Sequence, residues 1–584
     1  MEREKCSKAI ILLLFFWLSS AAAFEPEAVP ANPDLVALTE SWVPPTVYNV
    51  TNGVYVAVGY NQDNPVLIEG TDGLIVVDPG ESIPGAEAAK AAFNENLDDI
   101  FSKKPVKAII YTHYHACHVH GASVFAGDDS PEIIAHETLN YNLFSPASLD
   151  GQIAPIKYYR AAMMSGLPYQ KNPAYWTTIG IAPFSILGPS GYLPPTLTIG
   201  DELETNIAGV NLTLVHAPGE TSDIIYVWLP DDKVLIQIGN FYKAFPAINT
   251  LRGASYRDPL DYINSIDSMR KLDAEYLVLI HSSGGPIVGA ENISRALTNA
   301  RDALQYVHDQ TVRYMNKGLT AGEIIEVVEL PPHLAEDPNL QEIYGEVDRD
   351  IFQIYQQYLG WFTGKCRDIF PTSPTEEAED MAYLAGGTEE LAIKAKAALD
   401  EGDMKRALIF SDNVLLLDSE NAEARDVKNS ALLSLAEETS NAQVRNYLLS
   451  EYLEETGQIS IPILDLGFRA MDDNMVFYMP METLFRIMAV SLNASKALDE
   501  EYAVGFDLSD DSVSGDYVIY VRRGIIEVQQ EVVEDPTFTV VTDSLTWKNL
   551  VLGKLDSEEA VASGGVKISG EDPEAFYNFM DLFR

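Results

Sequence analysis

The sequence predicts an α/β domain, then an all-α region, then a small α+β module. Three observations carry that prediction. Residues 47–289 are short β-rich runs separated by turns and helical stretches. Residues 389–457 are strongly helical and contain no proline. Roughly the last hundred residues open on a helix and turn to strands. The 584 residues also exceed one core, since single domains usually run about 100–200 residues.

The elements follow in order. Val54-Tyr55-Val56-Ala57-Val58, Val66-Leu67-Ile68-Glu69-Gly70 and Leu74-Ile75-Val76-Val77-Asp78 read as successive strands. Asn61, Asp63 and Asn64, then Thr71, Asp72 and Gly73, fill the turns between them. Residues 86–96, after Pro84-Gly85, are alanine-rich and helical. Residues 106–111 form a strand that runs straight into a histidine cluster, and strands recur at 212–216, 224–229, 234–238 and 276–280. A boundary follows Cys366, where Pro371-Thr372-Ser373-Pro374-Thr375-Glu376-Glu377 reads as a proline- and acid-rich linker. Beyond it Ala392, Ala395, Ala398 and Ala407 recur at helical spacing, with turns at Glu401-Gly402-Asp403 and 418–422. These resemble tetratricopeptide hairpins, but too few repeat for a solenoid, so a helical layer that packs on a second copy is expected. A helix over 481–492, strands over 517–522, 524–528 and 536–541, and a helix over 544–553 complete the chain.

Acidic residues outnumber basic ones 87 to 39, a net charge of -48, while 47% hydrophobic residues exclude wholesale disorder. Such a surface repels phosphate backbones and anionic lipid, which excludes a nucleic-acid partner. A small anionic substrate needs only a locally positive pocket. At the N-terminus Arg3, Lys5 and Lys8 flank an apolar run at 9–18, followed by Ala21-Ala22-Ala23. This is the pattern of a secretory signal over 1–23, and the run is shorter than the about 20 residues that span a bilayer. A secreted chain without transmembrane anchoring is expected, with glycosylation sequons at Asn49, Asn211, Asn292 and Asn493. Cys117 and Cys366 then remain, too few for a disulfide framework.

The chemistry concentrates in Thr112-His113-Tyr114-His115-Ala116-Cys117-His118-Val119-His120-Gly121. Four of the chain's nine histidines fall here, directly after a strand. Imidazole is the commonest metal ligand, and a loop at a strand end can aim several side chains at one point. His120 fits a structural role better than ligation.

The segment resembles the HxHxDH signature of the metallo-β-lactamase fold, an αββα sandwich that holds two zinc ions between its sheets. Residues 72–80 resemble that fold's strand and turn before the site. His216-Ala217-Pro218-Gly219-Glu220-Thr221, Asn240-Phe241-Tyr242-Lys243, Thr250-Leu251-Arg252-Gly253, Tyr256-Arg257-Asp258-Pro259 and His281 before Gly284-Gly285-Pro286 resemble the alkyl sulfatase family. Residues 552–555 and 562–570 resemble that family's sterol-carrier-like C-terminal module. The implied domains are a signal at 1–23, a metallo-β-lactamase-like catalytic domain at 24–370, a helical dimerisation domain at 371–470 and a sterol-carrier-like domain at 471–584.

The resemblance implies one zinc on His113, His115 and Glu220, and a second on Cys117, His118 and His281. Two positions depart from the family. Its aspartate is Cys117 here, and the carboxylate that bridges its metals is Gly239. A thiolate is a competent zinc ligand, whereas glycine offers nothing, so one or two ions are expected. The implied activity is release of sulfate and an alcohol from alkyl sulfate esters by a metal-bound hydroxide. Arg252, and secondarily Arg257, would bind the sulfate head. The aromatic-rich stretch 141–184 would wall an apolar cleft, suiting an amphiphilic anionic substrate or lipid-like ligand, in a homodimer. A second reading, resting on Cys117 and Gly239, is a catalytically impaired homologue that binds an apolar ligand as a dimer.

Overall fold

The computed structural model describes residues 28–508, 510, 517–530, 532–570 and 573–584; the expected signal at 1–23 lies outside them. Among the described residues a seven-stranded sheet runs in chain order: β1 (Thr46–Thr51), β2 (Val54–Val58), β3 (Val66–Glu69), β4 (Leu74–Val77), β5 (Val106–Ile110), β6 (Glu132–His136) and β7 (Leu197–Ile199). The first four strands are antiparallel; β4 to β7 are parallel. A six-stranded sheet in the order β13-β12-β11-β10-β9-β8 faces it, made of β8 (Glu202–Ile207), β9 (Val210–His216), β10 (Ile225–Leu229), β11 (Val234–Gln237), β12 (Tyr276–Leu279) and β13 (Ile287–Val288).

Period-two alternation explains how the layers stack. In β4, Ile75 and Val77 join Leu214, Val227 and Ile236 between the sheets. Leu74 and Val76 face the other way, onto Ala86, Ala89 and Phe93 of the helix Ile83–Asn96. The second sheet is covered likewise: Leu235 and Leu277 pack beneath Ile266 of Pro259–Met269 and Leu297 of Ala290–Met315. The result is the expected αββα sandwich. The three residues taken for an ordinary turn at 61–64 require correction, because Asn61, Asp63 and Asn64 are all 0% exposed.

The helices Thr388–Asp400, Met404–Leu417, Ala422–Glu438 and Ala442–Glu455 form the α region. The side chains of Asp403, Asn421 and Asn441 cap the last three, and Gly402 at φ +82° supplies the left-handed turn between the first two. The linker expected at 371–377 is only partly one. Ser373 and Glu376 form a capping box that starts the helix Pro374–Ala385, with Pro374 in the first turn. The stretch 141–184 docks on this α region. Tyr159 donates to Glu454 at 2.6 Å, Tyr169 to Asn446, and Tyr169 and Tyr175 pack against Leu449 and Leu453. Tyr159, Tyr169 and Tyr175 therefore serve packing between domains rather than an open channel.

The C-terminal sheet has the order β16-β15-β14-β17-β18: β14 (Glu501–Leu508), β15 (Tyr517–Arg522), β16 (Ile525–Gln529), β17 (Phe538–Thr542) and β18 (Lys567–Ser569). Trp547, Phe538, Phe576 and Phe579 fill its interior. The module docks on the sandwich: Tyr478 meets Tyr192 edge-on at 5.6 Å, and Thr483 donates to the Phe144 carbonyl at 3.1 Å. No described helix is long and apolar enough to cross a membrane. The asparagines of all four sequons are exposed.

Candidate metal centre

The centre forms where β4 and β5 end side by side. Asp78, just past β4 and at φ +51°, takes the Ile110 carbonyl through its amide at 3.0 Å. Its carboxylate accepts the Thr112 amide at 2.7 Å and the Thr112 hydroxyl at 2.6 Å. The chain leaving β5 is thereby held so that His113, His115, Cys117 and His118 turn toward the gap between the sheets. Glu220 arrives from the loop after β9 and His281 from the loop after β12.

These residues gather into two groups whose donor atoms lie within 4.8 Å of one another. In the first, His113 Nε2 is 2.9 Å from His115 Nδ1, which is 3.6 Å from Glu220 Oε1. In the second, His118 Nε2 and His281 Nε2 are 3.1 Å apart, and Cys117 Sγ is 3.8 Å from His281 Nε2. The His113 and His118 rings stand 4.2 Å apart, so the groups are neighbours.

Hydrogen bonds fix the tautomers in the second group. His118 Nδ1 meets Asp78 Oδ2 at 2.7 Å, and His281 Nδ1 meets the Gln62 carbonyl at 3.2 Å. Carboxylate and carbonyl can only accept, so both Nδ1 atoms carry the proton. The two Nε2 atoms then face each other 3.1 Å apart, and a cation, whether metal ion or proton, is what can sit between them. Burial, then neighbouring His118 and His281, pushes His113 well below the usual imidazole range; burial and His118 do the same to His281. His115 is likewise lowered by burial, then by His113 and Arg252. Neutral imidazoles are the ligand form. Burial, then the carboxylates of Asp63, Glu81, Glu220 and Asp78, pushes the Cys117 thiol well above its usual range. Imidazole nitrogen, sulfur and carboxylate oxygen fit a divalent metal such as zinc.

Glu220 is held by two partners that sequence reading missed or misassigned. Tyr242 donates to its Oε2 at 2.5 Å, and Arg257 Nη2 sits 3.1 Å from Oε1. Arg257 also donates to the Ala247 carbonyl at 2.8 Å and is 1% exposed. The substrate-binding role expected of Arg257 is therefore corrected: its guanidinium neutralises and positions Glu220. Burial opposes that charge, but Glu220 and nearby phenols outweigh burial and raise its pKa.

Gly239 is more than a missing carboxylate. At φ +74° a Cβ there would sit 2.7 Å from Ile224 Cδ1 and 2.8 Å from Glu220 Oε2. Glu220 and Ile224 fill the space through which a side chain would pass. His120 stands outside both groups, buried and pushed down to about 4 by burial.

Arg252 lies at the rim, its Nη2 3.4 Å from His115 Nε2. It lines a cleft of about 120 Å³ with Lys157, Arg160, Ile153 and Ile156. Burial, then Arg252 and Arg257, pushes Lys157 down to about 7. Three basic groups beside two isoleucines make a small amphiphilic site. No motif marked Lys157 or Arg160, because both fall in the stretch 141–184.

Fold and site together define a metallo-β-lactamase-type protein with two candidate metal groups. The metallo-beta-lactamase superfamily model matches residues 58–281, the alkyl sulfatase dimerisation model 320–457 and the alkyl sulfatase C-terminal model 469–584. The chain is 33% identical over 530 residues to a linear primary-alkylsulfatase of Pseudomonas sp., covering 88% of this chain and 98% of that protein. It is 24% identical over 567 residues to the alkyl/aryl-sulfatase of Saccharomyces cerevisiae, covering 95% and 85% of the two chains. The solved stereoselective inverting sec-alkylsulfatase of Pseudomonas sp. shares its fold at TM-score 0.82 and 23% identity, over 97% of this chain and 88% of that one. The chain belongs to the alkyl sulfatase family.

Proposed function

We propose that this protein is a zinc-dependent hydrolase of alkyl sulfate esters, converting ester and water to alcohol, sulfate and a proton. The observation that carries the metal reading is the gathering of two buried groups of three donors, with His118 Nε2 and His281 Nε2 facing each other at 3.1 Å and both Nδ1 atoms turned to acceptors elsewhere. His113, His115 and Glu220 would hold one zinc, and Cys117, His118 and His281 the second. Zinc, when bound, supplies Lewis acidity that lowers the pKa of water toward about 7.

The chain's own residues bind and orient. Arg252 offers a forked donor to the sulfate oxygens, with Arg160 adding positive charge in an otherwise acidic protein. Ile153 and Ile156, both partly exposed along the cleft, suit the first carbons of the alkyl chain. Tyr242 and Arg257 keep Glu220 from rotating. The binding-protein alternative is not favoured, since both donor groups are assembled despite Cys117 and Gly239.

A homodimer is part of the proposal. The dimerisation model matches 320–457, and that region exposes Trp361 at 69%, Phe370 at 78%, and Tyr383 and Leu384 at 84% each. Export is proposed from residues 1–23, supported by four exposed sequon asparagines. Secreted protein beginning at Phe24 would support it, and chain retained inside the cell with residues 1–23 attached would contradict it.

The test of function is sulfate release from a medium-chain alkyl sulfate. The expected result is turnover that a chelator abolishes and zinc restores. Turnover unaffected by exhaustive chelation, or none with zinc supplied, would contradict the proposal.

A further inference from the structure

The loop between β12 and β13 brings His281 to the second donor group and then runs Ser282-Ser283-Gly284-Gly285-Pro286. Two adjacent glycines, Gly284 at φ +71°, leave it little stiffness of its own. Two residues from elsewhere in the chain hold it. Asn64 grips the first half: its side chain donates to the carbonyls of Leu279 and Ser282 at 3.2 and 2.8 Å, and its amide to the Ile280 carbonyl at 2.7 Å. Lys243 grips the second half, its Nζ donating to the Ser283 carbonyl at 3.0 Å and to the Gly285 carbonyl at 3.2 Å.

A lysine is a costly way to hold two carbonyls. Burial lowers the pKa of Lys243, and no acid offsets that shift. A partly buried ammonium without a carboxylate costs free energy that an apolar side chain would not. The carbonyls themselves do not require it, because Ser283 and Gly285 are only partly buried and water can serve them. What Lys243 secures is the course of the loop two and four residues beyond His281. Its chain neighbour Tyr242 donates to Glu220 of the first group at 2.5 Å, so consecutive residues hold ligand-bearing parts of both groups.

We propose that Lys243 is a positioning residue for His281, fixing the β12–β13 loop so that His281 Nε2 stands opposite His118 Nε2 and beside Cys117 Sγ. The inference rests on the metal reading above. Without Lys243 the donors are unchanged, but the loop occupies its binding form for a smaller fraction of the time, and apparent affinity for the second cation falls by that fraction.

The test is zinc titration of metal-depleted full-length protein, wild type against Lys243→Met, with bound zinc counted by mass spectrometry. A parallel cobalt(II) titration follows the thiolate-to-cobalt charge-transfer band of Cys117, which reports the second group alone. Wild type is expected to take two equivalents. Lys243→Met is expected to keep one at unchanged affinity and to bind the other, together with the band, about 10–100-fold more weakly, the loss typical of an outer hydrogen-bond partner. Its melting temperature without metal should stay within about 2 °C of wild type, which a merely structural lysine would not allow. A loss at the second group below about 10-fold, or an equal loss at both groups, overturns the role of Lys243. Should Lys243→Met not fold, Lys243→Gln reads the same loss. A wild type that binds no zinc overturns the metal reading and this inference with it; two undiminished equivalents in the variant overturn only the role of Lys243.

Discussion

Glu220 and Asp63 are both buried carboxylates, yet Arg257 and Tyr242 hold the first and no side-chain donor meets the second. Glu220 is met by Arg257 at 3.1 Å and by Tyr242 at 2.5 Å. No side-chain donor meets Asp63, and burial followed by acids, Asp63 first among them, raises the Cys117 thiol. The first group is therefore organised by the protein's own cation before any metal arrives. The second leaves acidic charge to be balanced by whatever binds. Two halves of one centre are built on different electrostatic plans, and variants should affect them differently.

The largest expected effect comes from breaking the partnered half. Glu220→Gln leaves Arg257 charged and buried, and breaking such a pair costs about 3–5 kcal/mol. Thermal unfolding should show a drop of many degrees, and the double variant Glu220→Gln with Arg257→Met should recover much of it without recovering metal on that side. Equal stability of wild type and Glu220→Gln would dissolve the contrast between the halves.

Arg252→Ala touches neither plan and reads the substrate cleft. Loss of charged hydrogen bonds worth about 1.5–3 kcal/mol should lower kcat/KM about 10–100-fold at unchanged zinc content. A fall in zinc content instead would place Arg252 in the metal centre rather than at its rim.

Position 239 sharpens the comparison from the backbone side. Gly239→Ala meets Ile224 and Glu220 at a positive φ, and should cost about 1–3 kcal/mol in unfolding free energy. Gly318→Ala, at φ +86° with nothing near its Cβ, is the control and should cost about 1 kcal/mol. Equal losses at the two sites would mean that the crowding at 239 is relieved by small shifts.

The smallest effect is a pH slope. Burial pushes Glu81 up to about 8, so the folded protein keeps a proton that the unfolded chain releases above its ordinary value of 4.5. The stability from this group is complete below that value and declines as pH rises toward about 8. Metal-depleted Glu81→Gln should show a shallower decline in melting temperature across that window than wild type does.

Much of this was legible in the sequence because it is local. Strands such as 74–78 announce themselves by short apolar runs rich in β-branched residues, and four histidines in eight residues need no partner to be noticed. The pairs that hold the centre are different in kind. Tyr242 reaches Glu220 across 22 residues and the Gln62 carbonyl reaches His281 across 219, contacts that only the folded sheets create. Asp63 carried the composition of a turn, and composition does not distinguish a turn in water from one sealed between sheets. The same holds for 141–184, whose aromatic residues look alike whether they wall a cleft or, as with Tyr169 and Tyr175, pack a domain boundary. The 26-residue helix Ala290–Met315 went unread although its apolar stripe recurs at helical spacing, and strands β1, β6 and β8 went unread as runs of only five or six residues.

The most direct measurement is zinc per chain in protein purified without chelator, beside His115→Ala and Cys117→Ala. Two zinc ions in wild type, one in each variant, is the predicted result. None in wild type, or a content indifferent to both substitutions, would contradict the two-group centre.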